Sequence, residues 1–344
     1  AACRSQTSDA LSCGEIRAGT LADSDKKKIA LIIVIIARAL SQFLLVTFGG
    51  TSDTNYEIAR GIYGLAWSFC GVVLPAVVAM MMDKKVMGST FAIIAIINNF
   101  TKDMAKALGV QVYKTNGVVP AAMIGIGFAL AAVVLILFLD FNDERIKRAT
   151  PKVRKPLLKS LNFKYIPLCL ILSLAVFNWT QIQNYNNIIA QDRGIELASI
   201  LVIAGIFASI SGFVCSALCD FIHPKYVLIA LYCCMAAGSV VIGGATTYTT
   251  FLVGQVLCTI GVGYSSIISI YLFKNCALTE KGSVQATNYF ATDILSAVAG
   301  ALCGGVTTAM GYQGSYTVFA VTSVVAAVIV LFFGGKLLPK AAED

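Results

Sequence analysis

The sequence has few charged residues. Asp, Glu, Lys and Arg make up 13% of its 344 residues, whereas 58% are hydrophobic. A soluble domain carries about 25% charged residues, so a chain this poor in charge cannot hide its apolar surface from water in a single core. Its mean hydropathy of +0.80 predicts instead a protein whose solvent is largely lipid.

Histidine is almost absent, which limits the chemistry that the chain can carry out. The sequence has one histidine, and no group of His, Cys and acidic residues has the spacing of a metal site. No nucleophile and base are arranged for catalysis either. We therefore expect no enzyme activity, no cofactor and no metal site. The net charge of +8 does not predict nucleic-acid binding, because the basic residues occupy short loops between apolar runs.

Signals for secretion and for disulfide bonding are also missing. Residues 1–18 are polar, and no apolar core with a small-residue cleavage site follows them, so no signal peptide is predicted. Most of the eleven cysteines lie inside apolar runs, where cysteine behaves as a small hydrophobic residue. Because the first residue is Ala and not Met, we expect the chain to be processed or to lack an upstream part.

What the sequence does contain is ten apolar runs, each long enough, at about 20 residues, to cross a bilayer as a helix. Helices are predicted because lipid offers no partner to unpaired backbone groups. The predicted spans are 29–48, 58–82, 86–108, 118–140, 165–189, 197–219, 226–245, 250–273, 284–308 and 314–335. The predicted fold class is therefore all-α, a polytopic membrane protein with about ten transmembrane helices.

One long polar interval, 141–164, divides the runs into four and six. It is rich in Lys and Arg, and we predict that it is a cytoplasmic connector. Alternation of the spans then places eighteen of the 26 Lys and Arg residues on the connector side, with only Lys114 and Arg193 in loops of the other side. This asymmetry follows the positive-inside rule. It predicts a multi-pass protein of the cell membrane whose connector and C-terminus are cytoplasmic.

Residues 19–28 read GTLADSDKKK and precede the first span. This run resembles the loop motif Gly-x-Leu-Ala-Asp-x-x-Gly-basic-basic of the major facilitator superfamily, which joins the second and third helices of that family. The matching residues are Gly19, Leu21, Ala22, Asp23, Lys27 and Lys28. A weaker copy lies at 216–225, where Asp220 and Lys225 occupy the matching places.

The resemblance implies two six-helix bundles joined by a cytoplasmic connector. Since the sequence has only four spans before the connector, the first two helices of the family would be missing. The implied parts are a polar leader with the loop motif (1–28), an incomplete N-terminal bundle (29–140), the connector (141–164) and a C-terminal six-helix bundle (165–340). The two motif copies would act as gating loops on the cytoplasmic side.

Polar side chains inside the spans are the candidates for a solute or proton path, because such groups are costly in lipid. Arg60 lies in an Arg-x-x-x-Gly pattern similar to one in the family's fourth helix that is tied to proton coupling; the alternative is an arginine that reaches the membrane surface. In the third span Asn98, Lys102 and Lys106 share a helical face. Asp103 lies within reach of Lys106. This stripe would bind an anionic group or carry a proton, unless the span ends before it.

The second half offers three further candidates. Asn178, Gln181 and Tyr185 form an i, i+3, i+7 face in the fifth span that suits a water-lined cavity or, alternatively, a polar helix end. Tyr264 in the glycine-rich eighth span is either a ligand contact or a packing residue. Asp293 lies near the predicted midplane of the ninth span, where an acid is a functional candidate unless it pairs with a buried base.

The leading prediction is a secondary active transporter of a small polar or anionic solute that works by alternating access with proton coupling. The expected partners are the lipid bilayer, the solute and H+, and no nucleic acid. Two alternatives remain: a complete ten-span carrier of the drug/metabolite type, and a non-transporting membrane remnant of a transporter. A connector after span four counts against the first, and the missing helices favour the second. The sequence does not distinguish a symporter from an antiporter.

Overall fold

The structure, a computed structural model, describes residues 27–48, 53–138 and 161–337, and within these ranges it describes most side chains. The first half contains α1 (Lys27–Phe48), α2 (Asp53–Met81), α3 (Met87–Asn116) and α4 (Val118–Phe138). The second half contains α5 (Ile166–Leu172), α6 (Val176–Asp192), α7 (Leu197–Leu218), α8 (Pro224–Gly244), α9 (Tyr248–Gly261), α10 (Tyr264–Asn275) and α11 (Lys281–Leu337). The described residues form helices and turns with no strand, which confirms the all-α prediction.

The described helices correspond to the ten predicted apolar spans. Seven stretches are long and apolar enough to span a bilayer, and one of them, Lys281–Gly334, has the length of two spans. Gly311 divides it, because φ 66° and ψ 179° interrupt the helix in a region that glycine alone adopts readily. The shorter apolar helices Leu31–Thr47 and Met87–Ile97 complete the ten predicted spans.

Three spans differ in detail from the prediction. The fifth is not one helix, because the 3-10 segment Ser173–Ala175 separates α5 from α6. The eighth is broken between α9 and α10 at residues 262–263. The apolar composition continues across both breaks, so hydropathy cannot reveal them. The third is longer than predicted, since α3 continues as a helix to Asn116.

The described helices pack within each predicted half and also across the two halves. In the first half, α4 packs against α1 and α3, and α1 packs against α2. In the second half, α11 packs against α5, α6 and α8, while α9 packs against α7 and α8. The halves meet where α3 packs along α7 and where α11 packs against α2. Of the predicted connector, only residues 161–164 lie in the described part, so the domain boundaries stay a prediction.

The junction between the halves is apolar. Phe91 of α3 packs against Phe273 of α10, with ring centroids 5.8 Å apart. A second cluster joins Val73 and Ala76 of α2 to Ala286 of α11. Apolar side chains also cover the outside of the helices, and most described residues of α4 in particular are exposed. An apolar exterior of this kind is what a lipid environment requires.

Candidate functional site

Asp220 lies in the turn after α7 and joins the two halves. Its Oδ1 accepts the backbone N–H of Gly88 at 3.0 Å, and its Oδ2 accepts the backbone N–H and the hydroxyl of Ser89 at 2.7 and 2.8 Å. Gly88 and Ser89 begin α3, where unpaired N–H groups and the helix dipole favour a negative charge. Lys274, at the end of α10, donates to Oδ1 at 2.7 Å. We call these four residues the basic-end contact, since Lys28, Lys85, Lys225 and Lys281 lie at the same end of the helices.

The basic-end contact stabilises the ionised carboxylate. Burial alone would raise the pKa of Asp220, but the hydrogen bonds from Lys274 and Ser89 outweigh this effect and hold that pKa below its ordinary value. The close approach of α3 to α7 requires glycine at position 88. A Cβ there would lie 2.5 Å from the Ser216 carbonyl oxygen and 2.6 Å from Asp220 Oδ1.

Two other predicted gating residues are described, and each makes a contact within its own half. Lys28 Nζ donates to the Leu137 carbonyl oxygen at 2.9 Å, near the end of α4. The Lys225 backbone N–H donates to His223 Nδ1, and Lys225 Nζ lies 4.8 Å from the ring centroid of Tyr226. The predicted gating residues that lie outside the described part are Gly19, Asp23 and the side chain of Lys27.

Several basic side chains share one role that the sequence analysis missed: each donates to carbonyl groups at the end of a neighbouring helix. Lys28 does so at the end of α4, and Lys274 does so at the end of α7, with 3.0 Å to the Cys219 carbonyl oxygen. Lys281 donates to the Ala79 carbonyl oxygen in the last turns of α2. Terminal carbonyls lack partners within their own helix and carry the negative end of its dipole, so a cation is favoured there.

Arg193 plays the same role at the opposite end of the second half. Nη1 donates to the Ile242 carbonyl oxygen at 3.0 Å and also to that of Ala245, and Nη2 donates to that of Gly243 at 2.8 Å. All three carbonyls end α8, so Arg193 joins the end of α6 to the end of α8. The sequence indicated only that Arg193 lies in a loop away from the other basic residues.

The predicted amide face of α6 is largely buried. Asn178 is fully buried, and its Nδ2 donates to the Met235 carbonyl oxygen at 3.2 Å and to Ser323 Oγ at 3.1 Å. Gln181 is also fully buried, and its Nε2 donates to Thr307 Oγ1 at 3.3 Å. These bonds join α6 to α8 and to both arms of α11. Asn178 and Gln181 therefore hold the second half together.

A second set of polar side chains on α6 is exposed or half-buried. We call Gln183, Asn184 and Asn187 the open polar face. Gln183 and Asn187, at i and i+4, are exposed, and Asn184 and Tyr185 are half-buried between them. The ring of Tyr185 lies 6.1 Å from that of Tyr312. Thus the predicted i, i+3, i+7 face is divided: its first two members are buried, and Tyr185 lies at the edge of the open polar face. Polar groups in a membrane span need water or a ligand as a partner.

Asp293 lies on α11 beside its seam with α5 and α6. Thr292 Oγ1 lies 3.0 Å from Ser173 Oγ, and Ser296 Oγ lies 3.1 Å from Thr180 Oγ1. Asp293 is half-buried and shares a helical face with Ser296 at i and i+3. Asp293 therefore lies on α11 between two residues, Thr292 and Ser296, that contact the stretch 173–180.

One of the remaining candidates is buried, and the side chains of the others are not described. Tyr264 is 3% exposed, and its ring lies 5.5 Å from that of Tyr232 within the hydrophobic core, which matches its packing alternative. The candidates on α2 and α3 whose side chains are not described are Arg60, Asn98, Lys102, Asp103 and Lys106. Their backbone is helical throughout, as the predicted stripe requires.

Among described residues, no three His, Cys, Asp or Glu side chains lie close enough to hold a metal ion.

Comparison with protein-family models identifies the family of the chain. The family model of the Major Facilitator Superfamily matches residues 12–299. Comparison with curated protein sequences gives no match.

Solved structures of low sequence identity share the fold. The human organic anion transporter MFSD10 (TETRAN) is 14% identical, with a TM-score of 0.74 over 95% of this chain and 82% of that one. The xylose transporter XylE from E. coli is 16% identical, with a TM-score of 0.67 over 94% and 85%. The E. coli fucose:proton symporter FucP is 14% identical, with a TM-score of 0.66 over 96% and 90%. At such identities the likeness establishes the fold alone.

Proposed function

The chain belongs to the major facilitator superfamily, and on that premise we propose that it is a secondary active transporter that moves a small polar or anionic solute across the cell membrane by alternating access. A multi-pass membrane protein of this family acts on small solutes within the bilayer. This family membership removes the ten-span drug/metabolite-type carrier from the alternatives.

The observation that carries the proposal is the basic-end contact. It joins α3 of the first half to Asp220 of the second half through three hydrogen bonds, and water can replace each of these bonds when the halves separate. It therefore supports a state that is closed at the basic end. Opening this end would require Asp220 to leave the start of α3. We place the basic end, with the connector, on the cytoplasmic side.

We place the solute beside the open polar face of α6. Gln183, Asn184 and Asn187 offer both donors and acceptors there, and Tyr185 adds a hydroxyl group. In the first half, Lys102 and Lys106 would hold an anionic group of the solute, with Asn98 on the same helical face. The neighbouring folds include a transporter of organic anions and a fucose:proton symporter, which supports a solute that is anionic or rich in hydroxyl groups.

Asp293 is the proposed proton carrier in the second half. It lies beside the α6–α11 seam, so protonation of its carboxylate would act on the helix that carries the open polar face. Asp103 and Arg60 are the corresponding candidates in the first half. A carboxylate that gains a proton loses its charge, which lowers the cost of moving it through a low-dielectric barrier.

The test is uptake by the full chain reconstituted in liposomes with an imposed pH gradient. We expect accumulation of a sugar or a small organic anion that depends on the gradient. Asp293→Asn should abolish uphill accumulation while leaving solute exchange without a gradient. Glu196→Gln, an exposed acid at the start of α7, is the matched control and should retain both activities. Folded protein that neither accumulates nor exchanges any solute would favour the non-transporting alternative.

A further inference from the structure

Lys281, the first residue of α11, is a lysine buried between the halves. It is 2% exposed, and its Nζ donates to the Ala79 carbonyl oxygen. Ala79 lies in the last turns of α2, whose terminal carbonyls carry the negative end of the helix dipole. Lysine is almost never fully buried unless its charge is paired. The contact is therefore a specific feature of the junction.

The Lys281 contact and the basic-end contact lie on the two sides of one turn. Residues 82–86 connect α2 to α3. Lys281 binds at the end of the helix before this turn, and Asp220 binds at the start of the helix after it. Each charge has the sign that its helix end favours: a cation at the C-terminus and an anion at the N-terminus. Both charges belong to the second half, and both helix ends belong to the first.

Two other lysines of the described residues make helix-end bonds within one half. Lys28 joins α1 to α4 within the first half, and Lys274 joins α10 to the end of α7 within the second. Lys281 makes the same kind of bond from α11 to α2, across the junction. A bond that joins two moving bodies must break when they separate, whereas a bond within one body persists. Lys281 and Lys28 therefore make the same kind of bond, but only the loss of Lys281 is expected to change how often the halves separate.

We propose that Lys281 is a second charged contact that keeps the basic end closed, and that this end opens only when its buried ammonium group leaves α2 and enters water. The inference rests on the proposed alternating access. It assigns to Lys281 a role that neither copy of the loop motif contains. Loss of the charge should raise the population of the open basic end and leave the fold of each half intact.

The test compares distances between the halves in variants of the full chain. Spin labels are attached at Lys85 and Lys164, two exposed positions on different halves, in a background without native cysteines. Pulsed electron spin resonance in lipid nanodiscs then gives the ratio of long to short distances. We expect Lys281→Met to raise this ratio about tenfold, given the strength of a partly buried charge at a helix end. Lys281→Gln, which keeps a donor but no charge, should raise it less.

Lys28→Met is the matched control and should lower thermal stability without changing the ratio. Should Lys281→Met fail to fold, Lys281→Gln decides alone. The proposal is overturned if the Lys281 variants that fold keep the ratio of the parent, or if Lys28→Met shifts it equally. A parent that shows one distance under all solute and pH conditions would instead contradict alternating access. The failure of the proposed function is thus distinguishable from the failure of this inference.

Discussion

Asp220 and Lys274 form an ion pair of 2.7 Å within the second half, and the start of α3 completes it from the first half. The same carboxylate accepts two backbone N–H groups and one hydroxyl group of α3. Both side chains are largely shielded, with exposed fractions of 6% for Asp220 and 14% for Lys274. Removing either charge leaves the other without its partner, which is costly for a buried pair. Four testable predictions follow from the arrangement of this contact and of α6.

Asp220→Asn should open the basic end. The amide keeps the shape of the side chain but loses the charge, and hydrogen bonds to a charged group contribute about 1.5–3 kcal/mol each. Native Cys219 provides the readout, because burial raises the pKa of its thiol to about 12 and makes it unreactive while the end is closed. Its labelling by a water-soluble maleimide, in a chain that keeps only this cysteine, should become at least about tenfold faster. Glu280→Gln, at the same end, should leave the rate unchanged.

The basic-end contact should not respond to pH in the physiological range. Because the pKa of Asp220 lies below its ordinary value of 3.8, its contribution is fully present above that value and is lost as the pH falls through the lowered pKa. In an Asp293→Asn background, which removes the proposed proton carrier, the distances between labels at Lys85 and Lys164 should therefore stay constant from about pH 8 to about pH 5. A change within that window would show that another group controls the opening.

Gly88→Ala should separate α3 from α7. The added Cβ would lie within 3 Å of Ser216 and of Asp220, closer than real Cβ contacts allow, so the helices must move apart. Gly109→Ala is the control on the same helix, where a Cβ meets nothing within 4 Å. It should be neutral or stabilise the protein by about 0.5–1 kcal/mol. Cys219 labelling and the thermal unfolding midpoint measure both effects, and equal results for the two variants would contradict the prediction.

The two classes of amide on α6 should respond differently to truncation. Asn178→Ala leaves partners on α8 and α11 unpaired, and we expect the free energy of unfolding to fall by about 1–3 kcal/mol. Gln183→Ala removes an exposed amide, so stability should stay the same while the affinity for the solute falls. Thermal unfolding and solute binding separate the two outcomes. Loss of binding without loss of stability in Asn178→Ala would place this residue in the solute site.

The sequence was sufficient to predict the spans and the position of one contact between the halves. Hydropathy located the apolar helices: seven described stretches are long enough to cross a bilayer, and the shorter Leu31–Thr47 and Met87–Ile97 also coincide with predicted spans. The second copy of the loop motif drew attention to Asp220 through its spacing alone. The structure places its carboxylate at the start of α3, and its gating role stays a prediction.

The partners of the polar side chains could not be predicted in the same way. Periodicity placed Asn178, Gln181 and Tyr185 on one face of α6, but which face packs inward depends on α8 and α11. A lysine at a helix start looks the same whether it is solvated, like Lys85, or buried, like Lys281. These distinctions arise only from tertiary packing, which no local pattern records.

The bonds from lysine and arginine to helix ends relate the insertion of the chain into the membrane to the packing of its helices. In the structure Lys28, Lys274 and Lys281 donate to the carbonyl groups of helix ends. If they also orient the spans during insertion, as the positive-inside rule predicts, the same residues encode orientation and assembly. A chain recoded to insert upside down, with these lysines relocated to the other loops, would lose its helix caps and would fail to mature, even with every apolar segment unchanged.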